Sequence, residues 1–254
     1  MSSAYTPILT EEAAPPPAYG AADAERAPLI NGEKPFLSEC EAHVKLNFMR
    51  KVYSILAAQF GLTTIVSALF MYNQDIKHVV QANPWAMFVS SFGGLALLVA
   101  LIFYRSKEPA NRYLLAAFTL VESYSIGVVC TFYESEVVLQ AVILTFAVFI
   151  GLTLFTLNSR MSFEGMGPFL FGSLWILIFA SFLQIFFPFS RVTDLIIAVF
   201  SAIIFCGYIV YDTYMIFTRM TVDDYIMASV ELYLDVINLF LAILRILGGN
   251  GRDD

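Results

Sequence analysis

Apolar residues run along this chain in seven blocks, at 52–72, 85–104, 113–132, 137–157, 168–187, 195–217 and 225–247, parted by short polar links. Each block approaches or exceeds the roughly 20 residues a helix needs to cross a hydrocarbon core. Strict apolar–polar alternation of the membrane β-strand kind is scarce, which argues against a transmembrane barrel. The pattern predicts an all-α integral membrane protein: a bundle of seven transmembrane helices with short loops and no inserted soluble domain. The last block stands apart. Glu231, Asp235 and Arg245 make it polar enough either to cross as a seventh span or to tuck into the bundle.

Composition sharpens the class. Of 254 residues, 59% are hydrophobic and 14% charged, against roughly 25% charged in soluble domains. So much apolar surface needs the bilayer as solvent. The net charge of −7 is mostly a property of residues 1–44, where seven acids face two bases. That segment holds Pro15, Pro16 and Pro17 and no apolar stretch, so it reads as a disordered acidic tail and not a signal peptide. The membrane domain is expected over 45–254. No basic patch interleaves with aromatics, which argues against nucleic-acid binding. Cys40, Cys130 and Cys206 are odd in number and far apart, so they form no disulfide framework. His43 and His78 lie outside the blocks and read as solvated.

Sidedness follows from the bases. The N-terminal side and the links after blocks two, four and six carry Lys45, Arg50, Lys51, Arg105, Lys107, Arg112, Arg160 and Arg219. The opposite side carries Lys77, Arg191 and Arg252. The N-terminus is therefore expected in the cytosol, and the C-terminus on the far side if the last block crosses.

The acids inside the blocks are Glu122, Asp212, Glu231 and Asp235. Each costs about 2.5–3.5 kcal/mol on insertion scales, so each marks a candidate site; the alternative is a carboxyl satisfied by a neighbouring Tyr, Ser or Thr. Glu231, Asp235, Asn238, Ala242 and Arg245 form one helical stripe, and Ser201, Phe205, Tyr208 and Asp212 another. Blocks six and seven make a hairpin whose turn centres on Asp223–Asp224, equidistant from residues 212 and 235. Asp212 and Asp235 are thus expected to face each other. Two carboxyls in a dry site hold one proton between them and titrate as a unit; deprotonated, they offer hard oxygen ligands to Ca²⁺. The residues point to a proton-sensitive carboxylate pair controlling cation passage, with Glu122, Glu231 and Asn238 as further candidates along the path.

Three segments, "RKVYSILAAQFGLT", "YIVYDTYMI" and "LYLDVINLFLAILRILG", resemble the Bax inhibitor family, in particular its lifeguard-like branch. The similarity extends over about residues 45–254. It implies a seven-helix protein of an intracellular membrane that leaks Ca²⁺ from stores in a pH-dependent way and suppresses cell death under stress, including the unfolded protein response; endoplasmic reticulum, Golgi and vacuole all stay open as its compartment. It assigns pH sensing and gating to the pair matching Asp212 and Asp235, and gives Arg105 the part of a basic latch on that pair. Glu122 matches the lifeguard branch better than bacterial relatives. Ca²⁺ enters as a transported or sensed ion; no cofactor is expected.

Other classes fit less well. An intramembrane aspartyl protease also pairs two aspartates, but it sets the second in Gly-x-Gly-Asp, whereas Tyr233 and Leu234 precede Asp235, and no proline follows. Catalysis is therefore not expected. Seven-helix receptors usually have an extracellular N-terminus, and no internal repeat suggests a transporter. A non-conducting scaffold in stress and cell-death signalling is the main alternative. The tail adds partner motifs. Pro16, Pro17 and Tyr19 match the PPxY pattern held by WW domains, such as those of ubiquitin ligases. Glu25, Leu29 and Ile30 resemble an acidic dileucine signal read by adaptor complexes that route proteins to a vacuole or lysosome.

Overall fold

A computed structural model describes residues 36–187 and 189–249. Among these are eight α-helices: α1 (Ala42–Tyr72), α2 (Gln74–Ala82), α3 (Pro84–Tyr104), α4 (Ala110–Cys130), α5 (Ser135–Asn158), α6 (Gly167–Phe186), α7 (Arg191–Arg219) and α8 (Tyr225–Gly248). Short 3₁₀ turns precede α1 (Leu37–Glu39) and α6 (Glu164–Met166). Six helical segments, all but α2 and α8, are long and apolar enough to cross a membrane. The seven-span expectation is met to that extent. α8 has 24 residues, the length of a span, but Glu231, Asp235 and Arg245 set its composition apart.

Local chemistry explains the boundaries. α1 begins at Ala42, well before its apolar block, because Val44, Phe48, Val52 and Leu56 repeat every four residues and all are buried. That stripe keeps the polar first turns packed on the bundle. At the other end of α1 the chain breaks at Asn73, whose side-chain oxygen accepts hydrogen bonds from the backbone N–H groups of Asp75 and Ile76. This N-cap launches the short α2. Pro84 opens α3 and Pro168 lies in the first turn of α6, where a missing N–H costs no helical bond. Ser190 caps α7 by accepting from the Thr193 N–H.

α8 is the axis of the molecule, packed against α7, α5, α1 and α4. Its buried residues include Tyr233, Leu239, Phe240 and Leu244. α4 in turn packs on α1 and α3. The α1–α4 approach is close at Gly127, where a Cβ would sit 2.9 Å from the Phe70 ring. Small residues at such crossings are how membrane helices gain van der Waals contact without a hydrophobic drive between them. α6 lies against α7 and turns Phe169, Phe171, Ile176 and Phe179 outward. Before α1, Phe36 bridges to Thr221, and the Leu37 N–H donates to the Met220 carbonyl at 2.8 Å. Leu37 is fully buried there, so the segment straps the turn between α7 and α8.

Candidate functional site: an acid pair on the central hairpin

The α7–α8 turn is fixed by Asp224, whose Oδ2 accepts from the Thr221 backbone N–H at 3.1 Å and from its hydroxyl at 2.8 Å. With the turn set, the helices descend antiparallel, and Asp212 of α7 meets Asp235 of α8. Their carboxyl groups come within hydrogen-bonding reach of each other. A hydrogen bond between two carboxyl groups requires a proton on one of them, since two carboxylates offer acceptors alone. Asp235 is 5% exposed. Among the described residues its Oδ2 finds no hydrogen-bond partner. Asp212 is half-buried, and Tyr208, one turn before it, lies close enough to feel both charges.

Glu231 stands one turn above Asp235 on the same stripe. The charges that reach it are those of Asp212, Asp224 and Arg105. Three carboxyls therefore gather within about two turns of hairpin, with one cation near the outermost. Arg105 itself is exposed, just after α3, and lines a cavity at the bundle end where α1 begins. Its charge reaches Glu231. Glu122 is not brought to this cluster: it lies on α4 against Gly94 of α3, where a Cβ would collide with its Oε1. A buried knot links α1, α4 and α8. Thr63 Oγ1 is 2.7 Å from the Tyr233 hydroxyl and 3.0 Å from Ser123 Oγ.

Asn238 continues the stripe and donates to the Leu234 carbonyl at 2.8 Å. It lines a cavity of about 680 Å³ with Ser201, Phe205 and Arg245. Arg245 forms an ion pair with Asp194, which also accepts from Gln184 Nε2 at 2.9 Å. Asp194 and Gln184 were missed in reading the sequence. The available signal was an acid in the first turn of α7 and a base in the last turn of α8, at the same end of one hairpin. Among the described residues, no group of three or more His, Cys, Asp or Glu is arranged to hold a metal ion. Two aspartates remain able to share a proton, or to offer oxygens to a passing cation. Pro16, Pro17, Tyr19, Glu25, Leu29 and Ile30 lie outside the described residues.

Apolar helices wrapped around a central one that carries a polar stripe, with two aspartates facing each other across the hairpin, define a polytopic membrane protein with a buried titratable centre. The chain belongs to the Bax inhibitor family: the family model described as "Inhibitor of apoptosis-promoting Bax1" matches residues 45–252. It is 45% identical over 211 residues to Protein lifeguard 4 of Mus musculus, covering 83% of this chain and 88% of that one. A Golgi anti-apoptotic protein of Vaccinia virus (strain Lister) is 42% identical over 83% of this chain and 89% of its own length. Bax inhibitor 1 of Schizosaccharomyces pombe is 39% identical, over 84% and 80%.

Proposed function

We propose that this protein restrains cell death from an intracellular membrane by a proton-controlled Ca²⁺ leak, with Asp212 and Asp235 as the controlling pair. The observation that carries the reading is the close approach of these two carboxyls inside the central hairpin, near enough to share one proton. While the proton is shared, a hydrogen bond ties α7 to α8. When it is lost, two carboxylates repel each other in a site of low polarizability, and their oxygens become available to a hard cation. Glu231 and Asn238 extend the polar stripe on either side, so a cation moving along it meets oxygen at each turn. The anti-apoptotic names of relatives support the cellular role. Among the endoplasmic reticulum, Golgi and vacuole, the name of the viral relative speaks for the Golgi. The bases flanking the spans favour a cytosolic N-terminus, which would present the PPxY and dileucine segments to WW-domain ligases and adaptors. No catalytic step is assigned.

A non-conducting scaffold is the second reading. It is favoured by the Leu37 strap, which joins the tail to the hairpin turn and would let a tail-bound partner act on the core. Purified full-length protein in liposomes loaded with a Ca²⁺ dye separates the two. The leak reading expects Ca²⁺ entry above that of protein-free vesicles at some pH between 5 and 8. Entry equal to empty vesicles throughout would give the place to the scaffold.

A further inference from the structure

At the bundle end where α1 begins, a cavity of about 560 Å³ opens between α1, the α3–α4 loop and the α7–α8 turn. Its ionisable lining is Lys51, Arg105 and Arg112 against Glu108 and Asp223. Glu108 is already engaged: it accepts from Arg112 Nη2 at 2.9 Å and from the Tyr225 hydroxyl at 2.8 Å. Those two donors hold its carboxyl below the usual glutamate range. Asn111 lies in the same wall, 2% exposed. Its Nδ2 donates to the Arg105 carbonyl at 3.0 Å, while its Oδ1 has no partner among the described residues. The cavity thus presents cations together with a buried acceptor that needs a donor.

A second hollow adjoins it and shares Lys51, Arg112 and Tyr225. Arg50 stands at its mouth, and Ile55, Leu115 and Ile226 line its floor. The Tyr225 ring is the common wall, with Lys51 Nζ 5.2 Å from its centre. The α3–α4 loop joins two helices long and apolar enough to cross a membrane, which sets this end at the membrane boundary, where phospholipid headgroups meet acyl chains.

The geometry points to a binding site for a phosphoinositide-class lipid, with its phosphates on Lys51, Arg105 and Arg112, a ring hydroxyl donating to Asn111 Oδ1, and an acyl chain in the groove between α1 and α4. Charge complementarity selects the headgroup. The four cations of the two hollows outnumber the two acids, and basic pockets between membrane helices hold phosphorylated headgroups in this way. A bare phosphate dianion leaves the Asn111 acceptor unsatisfied; a phosphorylated polyol satisfies it. The apolar floor continuous with the basic cavity selects a lipid over a soluble inositol phosphate.

Native mass spectrometry of the detergent-purified full chain tests it, titrating phosphatidylinositol bisphosphate, phosphatidylcholine and soluble inositol trisphosphate. Phosphatidylinositol bisphosphate should bind preferentially. Lys51→Ala and Arg105→Ala, both at exposed positions, should each weaken it about fivefold. Arg219→Ala, outside the cavity and paired with Glu164 at 3.0 Å, should leave it unchanged. Ser54→Trp, filling the groove from an exposed position, should weaken the lipid and spare the soluble headgroup. Equal binding of phosphatidylcholine, or equal loss in Arg219→Ala, would overturn the site. Soluble headgroup binding as tightly as the lipid would overturn the assignment to a lipid.

Discussion

α6 has no charged side chain between Gly167 and Phe186 and buries three residues, Leu170, Ser173 and Leu177. α8 carries Glu231, Asp235 and Arg245 and buries fourteen. In a water-soluble protein the order would be reversed, with the oiliest helix inside. Here the outer solvent is hydrocarbon, so apolar surface is free to face outward and polar groups must turn inward to find partners. The two helices also differ in what they can tolerate. α6 depends on what it lacks, namely charge. α8 depends on what it holds, an apolar face packed on four neighbours and a polar stripe whose charges pair with α7.

Substitutions that exchange these properties should give graded effects. Tyr233 is fully buried and packs near Phe60 and Phe118, with ring centroids at 5.4 and 6.2 Å; Tyr233→Ala should destabilise by about 3–5 kcal/mol, read as lost thermal stability in detergent. Ile176 of α6 is exposed, and Ile176→Lys should disfavour insertion by about 2.5–3.5 kcal/mol, read in a translocon insertion assay. Phe179→Ala on the same exposed face should stay within about 0.5 kcal/mol. Arg245→Ala leaves Asp194 and Gln184 without their cation. The pair is about a third exposed, so the loss should fall near 1–2 kcal/mol, between surface and buried pairs. A doubly exchanged Asp194→Arg, Arg245→Asp protein should recover part of it.

The smallest effect lies outside the spans. Glu108 is held below the usual glutamate range first by the Tyr225 hydroxyl and then by Arg112. A depressed folded value means that its contribution is present above the ordinary glutamate range and is lost as pH falls through the folded value. Tyr225→Phe should move the Glu108 titration upward in carbon-detected NMR. No movement would mean that the hydroxyl does not hold the carboxyl in solution.

Much of this was readable before the fold. Long continuous apolar runs announce membrane helices because a helix satisfies its own backbone in hydrocarbon, while a barrel strand alternates apolar and polar positions. The meeting of Asp212 and Asp235 followed from hairpin symmetry about Asp223–Asp224. What escaped depends on tertiary contact. The first turns of α1 look like a soluble segment until Val44 and Phe48 are seen buried. α2 is short and amphipathic, below the length at which a span is sought. The Leu37 strap is a single buried side chain and two backbone pairings, invisible in a hydropathy pattern. Arg105 sits at the end of α3 as read, and its charge reaches Glu231 across the cavity end of the bundle, a contact that only the fold reveals.

The account turns on the pair as the element that sets ion passage. Ca²⁺ flux into liposomes across pH 5–8 should therefore be followed for the native protein beside Asp212→Asn and Asp235→Asn. The native flux should change with pH, and both substitutions, which remove the shared proton while keeping side-chain size, should leave it flat. A native pH dependence that survives in either variant would contradict the assignment.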